Sequence, residues 1–234
     1  MNPQRTEESV LLETAKDAEQ SGNYAAAFDA WQRLASATNR PDYLCKLGRG
    51  AQRLGRWTDA EKAFLDALRV DKTFPLAMVA LGSLSLARTD GDRSTNARTA
   101  KAWLKHAVAA TPSAMSLSLL GAAHDRLEEK EAAKEAFRKA IELDETYSEA
   151  YFNLGLLLAN DGQNEQAERL LRTATQLDPN YHEAHGRLGI LLQQLGRYSE
   201  AETELKRAIE IDPTDAVANF YLNRTPGGTG TNKR

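Results

Sequence analysis

The chain has 234 residues, a formal net charge of −3 and a single cysteine, Cys45. A charge so near neutrality argues against nucleic acid or an anionic membrane as partner, and one cysteine excludes an internal disulfide framework. No apolar run approaches the roughly 18 residues that a transmembrane helix needs, and the polar start MNPQRTEESV does not resemble a signal peptide. We therefore expect a cytoplasmic protein that does not contact a membrane.

Six paired-helix elements are predicted along the chain, and an alanine marks the same position in each. The alanines recur roughly every 34 residues, a period typical of helical repeats, at Ala27, Ala60, Ala100, Ala133, Ala167 and Ala201. An earlier small residue marks the first helix of each element, at Ala15, Gly48, Gly82, Gly121, Gly155 and Gly189. Four positions after each alanine lies a bulky residue: Trp31, Phe64, Leu104, Phe137, Leu171 or Leu205. Small residues let two helices cross closely, and the bulky side chain fills the space beside them.

The predicted repeats are, in chain order, 8–40, 41–74, 75–113, 114–147, 148–181 and 182–215. Four of them have a turn glycine between their helices, at Gly22, Gly55, Gly162 and Gly196. Extra residues in the third repeat are predicted to form a loop at 88–99. Residues 216–224 should form a cap in which Phe220 and Leu222 cover the last repeat. Residues 1–7 are expected to be flexible, and 225–234 disordered.

This register resembles the tetratricopeptide repeat family. The best copies are YFNLGLLLANDGQNEQAERLLRTATQLDPN at 151–180 and HGRLGILLQQLGRYSEAETELKRAIEIDPT at 185–214. The resemblance covers residues 8–215 and implies an all-α, right-handed superhelix of about six helix-turn-helix repeats with a capping helix. The first repeat departs from the pattern with Thr14 and Ala15 in place of Leu-Gly, and the fourth has Glu128 where a turn glycine is expected.

By analogy with this family, the first helix of each repeat lines a concave groove that binds a peptide. The expected groove residues are Lys46, Arg49, Arg53, Leu76, Val79, Met115, Leu119, Arg126, Phe152, Asn153, Leu156 and Arg187. Three of them are cations of the second repeat, and the centre of the set is apolar, as in many binding sites. Phe152 and Leu119 are the expected anchors, so Phe152→Ala should cost little stability. The alternative is that some of these apolar residues pack in the core between helices.

Two specialised binding modes of the family do not fit this sequence. Some members clamp a partner's C-terminal carboxylate with lysine, asparagine and arginine side chains from three repeats. Only Asn153 and Arg187 match that set, and Glu183 has the opposite charge. The asparagine ladder of the repeats in O-linked N-acetylglucosamine transferases is also missing.

Residue patterns for catalysis or metal binding are weak. His182 and His185 lie three apart without an evident third ligand, and Asp90-Gly91-Asp92 lacks the later ligands of a calcium loop. Cys45 has no partner base at a recognisable spacing, and the glycine-rich tail lacks the features of a phosphate loop. We therefore expect no metal, no cofactor and no enzymatic activity.

The expected function is that of a non-catalytic scaffold for protein–protein interaction, which holds a peptide segment or helix of a partner in the groove. Two alternatives remain open at this stage. The chain could be the regulatory or substrate-recruiting part of a larger enzyme or assembly, or a structural array that assembles through its end faces.

Overall fold

The computed structural model describes residues 3–89 and 91–226. Over these residues the regular secondary structure is entirely helical, which confirms the predicted all-α fold class. The chain divides at Pro112 into two compact units, one of residues up to Pro112 (unit 1) and one of residues from Ser113 onwards (unit 2). The described helices are all too short or too polar to cross a lipid bilayer.

Unit 1 consists of three helix pairs. Its helices are α1 (Pro3–Gln20), α2 (Tyr24–Thr38), α3 (Pro41–Arg53), α4 (Trp57–Val70), α5 (Pro75–Ala87) and α6 (Arg93–Ala110). Each odd-numbered helix packs on the even-numbered helix that follows it, and the first helices α3 and α5 also contact each other. The first helices α3 and α5 therefore lie side by side.

Unit 2 repeats this arrangement with three further pairs and one additional helix. Its helices are α7 (Ala114–Arg126), α8 (Lys130–Leu143), α9 (Ser148–Asn160), α10 (Asn164–Leu177), α11 (His182–Gln194), α12 (Tyr198–Ile211) and α13 (Ala216–Arg224). The first helices again contact each other, α7 with α9 and α9 with α11.

Each pair turns at a residue in the left-handed backbone region. Glycine occupies this position at Gly22, Gly55, Gly162 and Gly196, as the sequence predicts, and at Gly91 in the third repeat. Glu128 adopts the same conformation in the fourth repeat, with φ of 61°. The departure from the family pattern at this turn is therefore a change of residue and not of backbone geometry.

The two helices of a pair approach most closely where a first-helix glycine lies against the bulky residue of the second helix. A Cβ atom added to the glycine would lie 2.3–3.0 Å from the nearest atom of that side chain. The pairs are Gly48 with Phe64, Gly82 with Leu104, Gly121 with Phe137, Gly155 with Leu171, and Gly189 with Leu205. The alanines that mark the register are fully or almost fully buried beside them.

A recurrent contact joins successive pairs within each unit. The residue that directly follows the register alanine of one pair reaches the turn of the next pair. In unit 1 these contacts are Phe28 with Arg56, 4.3 Å from ring centroid to guanidinium carbon, and Glu61 with Arg88 at 3.1 Å. In unit 2 they are Lys134 with Asp161 at 2.8 Å and Glu168 with Arg197 at 2.6 Å.

The third repeat differs from the prediction of a loop at 88–99. Helix α6 begins at Arg93 and has 18 residues against 14 in most other second helices, so the extra residues lengthen it by about one turn and leave a short connection. Asp92 caps this helix by accepting a hydrogen bond from the backbone N–H of Thr95 at 2.7 Å. The stretch from Arg93 to Thr99 contains neither glycine nor proline, so nothing in it interrupts a helix. Asp90, part of the sequence compared with a calcium loop, lies outside the described residues.

The two ends of the chain also differ in part from the prediction. Helix α1 begins at Pro3, inside the segment 1–7 that was expected to be flexible. In α13, Ala218 is fully buried and Leu222 is partly buried against the last pair, but Phe220 is 54% exposed and does not cover it. Thr225 is buried and accepts a hydrogen bond from Gln193 Nε2 at 3.0 Å. The remainder of the predicted disordered tail, from residue 227, lies outside the described residues.

Two glycines of α11 provide a matched test of the close helix approach. A Cβ atom on Gly189 would lie 2.7 Å from Leu205 Cγ and 3.1 Å from the Ala201 carbonyl oxygen, whereas one on Gly186 would meet nothing nearer than 3.6 Å. Gly189→Ala should therefore lower the free energy of unfolding by about 1–3 kcal/mol because it overpacks the crossing. Gly186→Ala should raise it by about 0.5–1 kcal/mol because alanine favours the helix.

Urea unfolding followed by circular dichroism measures both changes. If Gly189→Ala proves as stable as Gly186→Ala, glycine does not set the distance between α11 and α12.

Candidate functional site

The first helices of unit 1 form a groove with an apolar recess. The recess has a volume of about 330 Å³. Its lining residues are Leu12, Lys16, Trp31, Arg40, Asp42, Tyr43, Cys45, Lys46, Arg49 and Leu76. Most come from α1 and α3, and Leu76 at the start of α5 is 51% exposed. An apolar recess with a few charged groups at its edge is the usual form of a ligand site.

A second recess continues the first along α1 and α3. It has a volume of about 270 Å³ and shares Lys16, Lys46 and Arg49 with the apolar recess. Beyond these shared residues it is lined by Glu19, Gln20, Tyr24, Ala27, Gly50 and Arg53. We call the two recesses together the unit 1 groove.

The floor of the groove is fixed by hydrogen bonds and ring contacts. Trp31 is only 2% exposed, and its indole Nε1 donates to Glu19 Oε1 at 3.0 Å. The Tyr43 ring centroid lies 5.6 Å from that of Trp31, and the Tyr43 hydroxyl donates to Glu8 Oε1 at 3.0 Å. Because these side chains are already held in place, little order would be lost when a ligand binds.

The cations of the groove outnumber the acids that neutralise them. Arg40 pairs with Asp42 at 2.8 Å, and Lys46 pairs with Glu19 at 3.4 Å. Among the described residues Lys16, Arg49 and Arg53 have no carboxylate partner. The Arg53 guanidinium lies instead 4.7 Å from the centroid of the Tyr24 ring. The groove therefore carries an excess of positive charge, although the whole chain has a net charge of −3.

Cys45 lies in the wall of the apolar recess and is not an activated nucleophile. Its side chain is buried, and this burial raises the pKa of the thiol to about 12. The nearby Arg49 lowers the pKa slightly but does not offset the cost of burying a thiolate. At neutral pH the sulfur is therefore protonated and serves as part of the apolar wall.

In unit 2 the predicted anchor Phe152 is part of the core. It is only 9% exposed, and its ring centroid lies 4.9 Å from that of Tyr181, the residue just before α11. The expectation of an exposed anchor at this position is therefore wrong, and the core alternative applies. The next pair folds over the start of α9, so Tyr181 covers a position that register alone assigns to the open face.

The other predicted residues of unit 2 lie on or near the surface of the first helices. Met115 is 47% exposed, and Leu119 and Leu156 are partly buried. Asn153 Nδ2 donates to Ser118 Oγ at 3.3 Å, so this amide ties α9 to α7. Arg187 is exposed beside a recess of about 220 Å³.

The structure thus brings four predicted residues to the unit 1 groove: Lys46, Arg49, Arg53 and Leu76. Val79, on α5, is half-buried and does not line either recess. Arg126 lies exposed in the last turn of α7 in unit 2.

Sequence reasoning missed the contribution of the first repeat to the groove. Leu12, Lys16 and Glu19 lie on α1 at the positions that the register assigns to the open face in later repeats. Extending the same register to residues 8–40 would have found them. Trp31 and Arg40 give no such signal, because they lie outside the first helices.

The two histidines of α11 do not converge on one ligand. His185 is buried, with Nδ1 2.7 Å from Glu204 Oε2 and Nε2 3.3 Å from the Pro179 carbonyl oxygen. His182 lies near different acids, 3.0 Å from Glu183 and 3.8 Å from Asp215. Over the described part of the chain, no three His, Cys, Asp or Glu side chains are arranged to hold a metal ion.

Stacked helix pairs, five of the six with a glycine at the crossing, define this chain as a helical-repeat protein. Four family models described as tetratricopeptide repeat match residues 45–114, 116–147, 136–169 and 158–221. The chain therefore belongs to the tetratricopeptide repeat family. No curated protein sequence matches it.

Solved structures share the fold at low sequence identity. The Cut9–Hcn1 hetero-tetramer of the APC/C contains a chain that is similar with a TM-score of 0.79 and 17% identity, over 92% of this chain but only 42% of that one. The type IV pilus biogenesis factor PilW is similar with a TM-score of 0.76 and 13% identity, over 95% of this chain and 100% of its own. YrrB, described as a TPR protein with an unusual peptide-binding site, is similar with a TM-score of 0.55 and 21% identity. The match covers 83% of this chain and 98% of YrrB. These similarities confirm the solenoid fold class.

Cys45 should be nearly unreactive in the folded protein. With its pKa raised from 9.0 to about 12, the thiolate fraction at pH 8 should be about a thousandfold lower than that of an exposed thiol. Ellman's reagent at pH 8 should therefore label the native protein slowly and the urea-unfolded protein completely. Complete labelling of the native protein within seconds would contradict the burial of this thiol.

Phe152→Ala should destabilise the protein because its ring packs against Tyr181. We expect a loss of about 3 kcal/mol in the free energy of unfolding, the usual cost of removing a buried aromatic ring. Leu119→Ala, at a partly buried position of the same unit, is the control and should cost about 1 kcal/mol. Urea unfolding curves report both losses. If both substitutions lower the free energy of unfolding by the same small amount, Phe152 is not buried against Tyr181 and lies on the exposed face.

Proposed function

We propose that this protein is a non-catalytic scaffold that binds an extended segment of a partner protein in the unit 1 groove. The observation that carries the proposal is the apolar recess of about 330 Å³ between Leu12 on α1, Cys45 on α3 and Leu76 on α5. It has a rigid floor, open apolar surface and charged edges, which together suit a partner's side chain.

The shape of the groove favours an extended peptide over a small molecule. Its α3 wall runs from Asp42 to Arg53, a helix length of about 16 Å at 1.5 Å per residue. An extended chain covers that distance in about five residues. The two recesses lie one after the other along this line, as required for side chains of one segment.

The chemistry of the groove supports binding and not catalysis. The only thiol in it is protonated at neutral pH, because burial raises the pKa of Cys45 to about 12. The charged side chains in its wall pair with one another, stack on the Tyr24 ring or are exposed, and among its described residues no nucleophile is hydrogen-bonded to a base. The single cysteine of the chain suits the cytoplasm, where we place the protein as part of this proposal.

Structural neighbours lend support at the level of the fold. YrrB is described as having a peptide-binding site, and the Cut9–Hcn1 structure is a complex of several chains. This chain spans less than half of the Cut9–Hcn1 chain that it matches. A recruiting role within a larger assembly would use the same groove.

A peptide selection with two matched variants tests the proposal. Random dodecapeptides displayed on phage are selected on the intact protein, and the affinity of each selected peptide is measured by fluorescence polarisation. Leu76→Glu places a charge at the mouth of the apolar recess and should weaken binding about tenfold or more. Val70→Glu is the control, since Val70 is 44% exposed at the end of the second helix α4, away from the groove.

Melting temperatures of both variants verify that they are folded. The proposal fails if no selected peptide distinguishes Leu76→Glu from wild type, or if Val70→Glu weakens binding equally.

A further inference from the structure

We propose that the unit 1 groove selects an acidic segment, in which a bulky apolar side chain is followed at two-residue intervals by carboxylates. This inference rests on the proposed function and specifies the chemistry of the partner. It comes from the charges that remain in the groove after its internal ion pairs are formed.

The two carboxylates inside the groove already have ion-pair and hydrogen-bond partners. Asp42 pairs with Arg40, and Glu19 accepts hydrogen bonds from both Trp31 and Lys46. What remains are three cations without a carboxylate partner among the described residues, namely Lys16, Arg49 and Arg53. A basic or neutral segment would leave this charge unmatched, whereas an acidic one would complement it.

The positions of the remaining cations set the spacing of the carboxylates. Lys16 and Arg49 belong to both recesses and so lie where the apolar recess meets the second one, while Arg53 lies in the second recess only. Cys45, Arg49 and Arg53 are successive steps of four residues on α3, each about 6 Å along the helix axis. An extended peptide advances by two residues over that distance. An apolar side chain in the first recess would thus be followed by acids two and four residues away, in either chain direction.

The first recess suits one bulky apolar side chain as the anchor. Its volume of about 330 Å³ is at the lower end of the range for ligand pockets. Leu12, Leu76 and the buried Cys45 thiol line it, and the pKa of that thiol is high enough to keep it uncharged. The anchor would supply affinity, and the carboxylates would supply selectivity and a faster encounter.

Single-stranded nucleic acid carries the same sign of charge but fits the groove less well. It needs aromatic rings exposed for base stacking. Trp31 and Tyr43 are only 2% and 6% exposed, and the Tyr24 ring is already covered by Arg53 at 4.7 Å. An acidic peptide uses the cations without needing these rings.

Three labelled peptides that differ only in charge test the inference on the intact protein. They are Gly-Ser-Phe-Ser-Glu-Ser-Glu-Ser-Gly, the same peptide with Gln at both Glu positions, and the same peptide with Lys there. Fluorescence polarisation at 50 mM salt should show the Glu peptide binding about fivefold or more tightly than the Gln peptide. Its advantage should shrink as salt is raised, because exposed ion pairs are screened.

Charge reversal in the groove should invert this preference. The double variant Lys16→Glu with Arg49→Glu should bind the Lys peptide more tightly than the Glu peptide, and Arg53→Glu alone should remove part of the Glu advantage. Lys62→Glu is the control, an exposed lysine of the second helix α4 that lies outside the groove. Melting temperatures verify folding, and the single variant Arg49→Gln replaces the double variant if that one is unstable.

Each outcome decides between the two proposals. Equal binding of the Glu and Gln peptides that still depends on Leu76 overturns the acidic preference and leaves the peptide groove standing. The acidic preference is also wrong, and the peptide groove is retained, if none of the three peptides binds while the phage selection yields groove-dependent peptides without acidic residues. If neither approach gives Leu76-dependent binding, the peptide groove itself is wrong. If an oligodeoxythymidine binds more tightly than the Glu peptide, the groove recognises nucleic acid and not an acidic peptide, and the inference is wrong.

Discussion

The architecture depends on the close approach of the two helices in each pair at a small first-helix residue, which is Ala15 in the first pair and glycine in the other five. At Gly48 a Cβ atom would lie 2.3 Å from the Phe64 ring, and at Gly121 it would lie 2.6 Å from the Phe137 ring. Any larger residue at these positions would push the second helix away from the first. The bulky side chain held there is almost fully buried, so the crossing contributes to the hydrophobic core of its pair.

This packing also determines which surface is free to bind a ligand. Because the side of each first helix that carries the small residue faces its own second helix, the opposite side lies towards the groove. In unit 1 that side carries Lys16 on α1 and Lys46, Arg49 and Arg53 on α3. A sequence of nearly balanced charge thereby produces a locally basic groove, because only Asp42 and Glu19 among the acids line it beside five cations. Contacts such as Glu168 with Arg197 use acidic side chains to join successive pairs.

The sequence predicted the repeat register well because alanine and glycine are required by geometry at every crossing. It predicted the site less well, since register assigns a position to a face but does not show what covers it. Phe152 occupies a groove position and is nevertheless covered by Tyr181 of the next repeat. Trp31 fills the crossing of the first pair, as predicted, and also forms the floor of the groove through its bond to Glu19. Such contacts between residues of different helices depend on the packed structure and leave no periodic signal.

The most direct test of this account is a crystal structure of the protein bound to its tightest selected peptide. We predict that an apolar side chain of the peptide lies between Leu12 and Leu76, and that a peptide carboxylate lies within about 4 Å of the Arg49 guanidinium, the distance of an ion pair. The peptide backbone should follow α3 on the face opposite Gly48. A peptide bound instead to the second helices α2 and α4, with the groove between α1, α3 and α5 empty, would contradict the account.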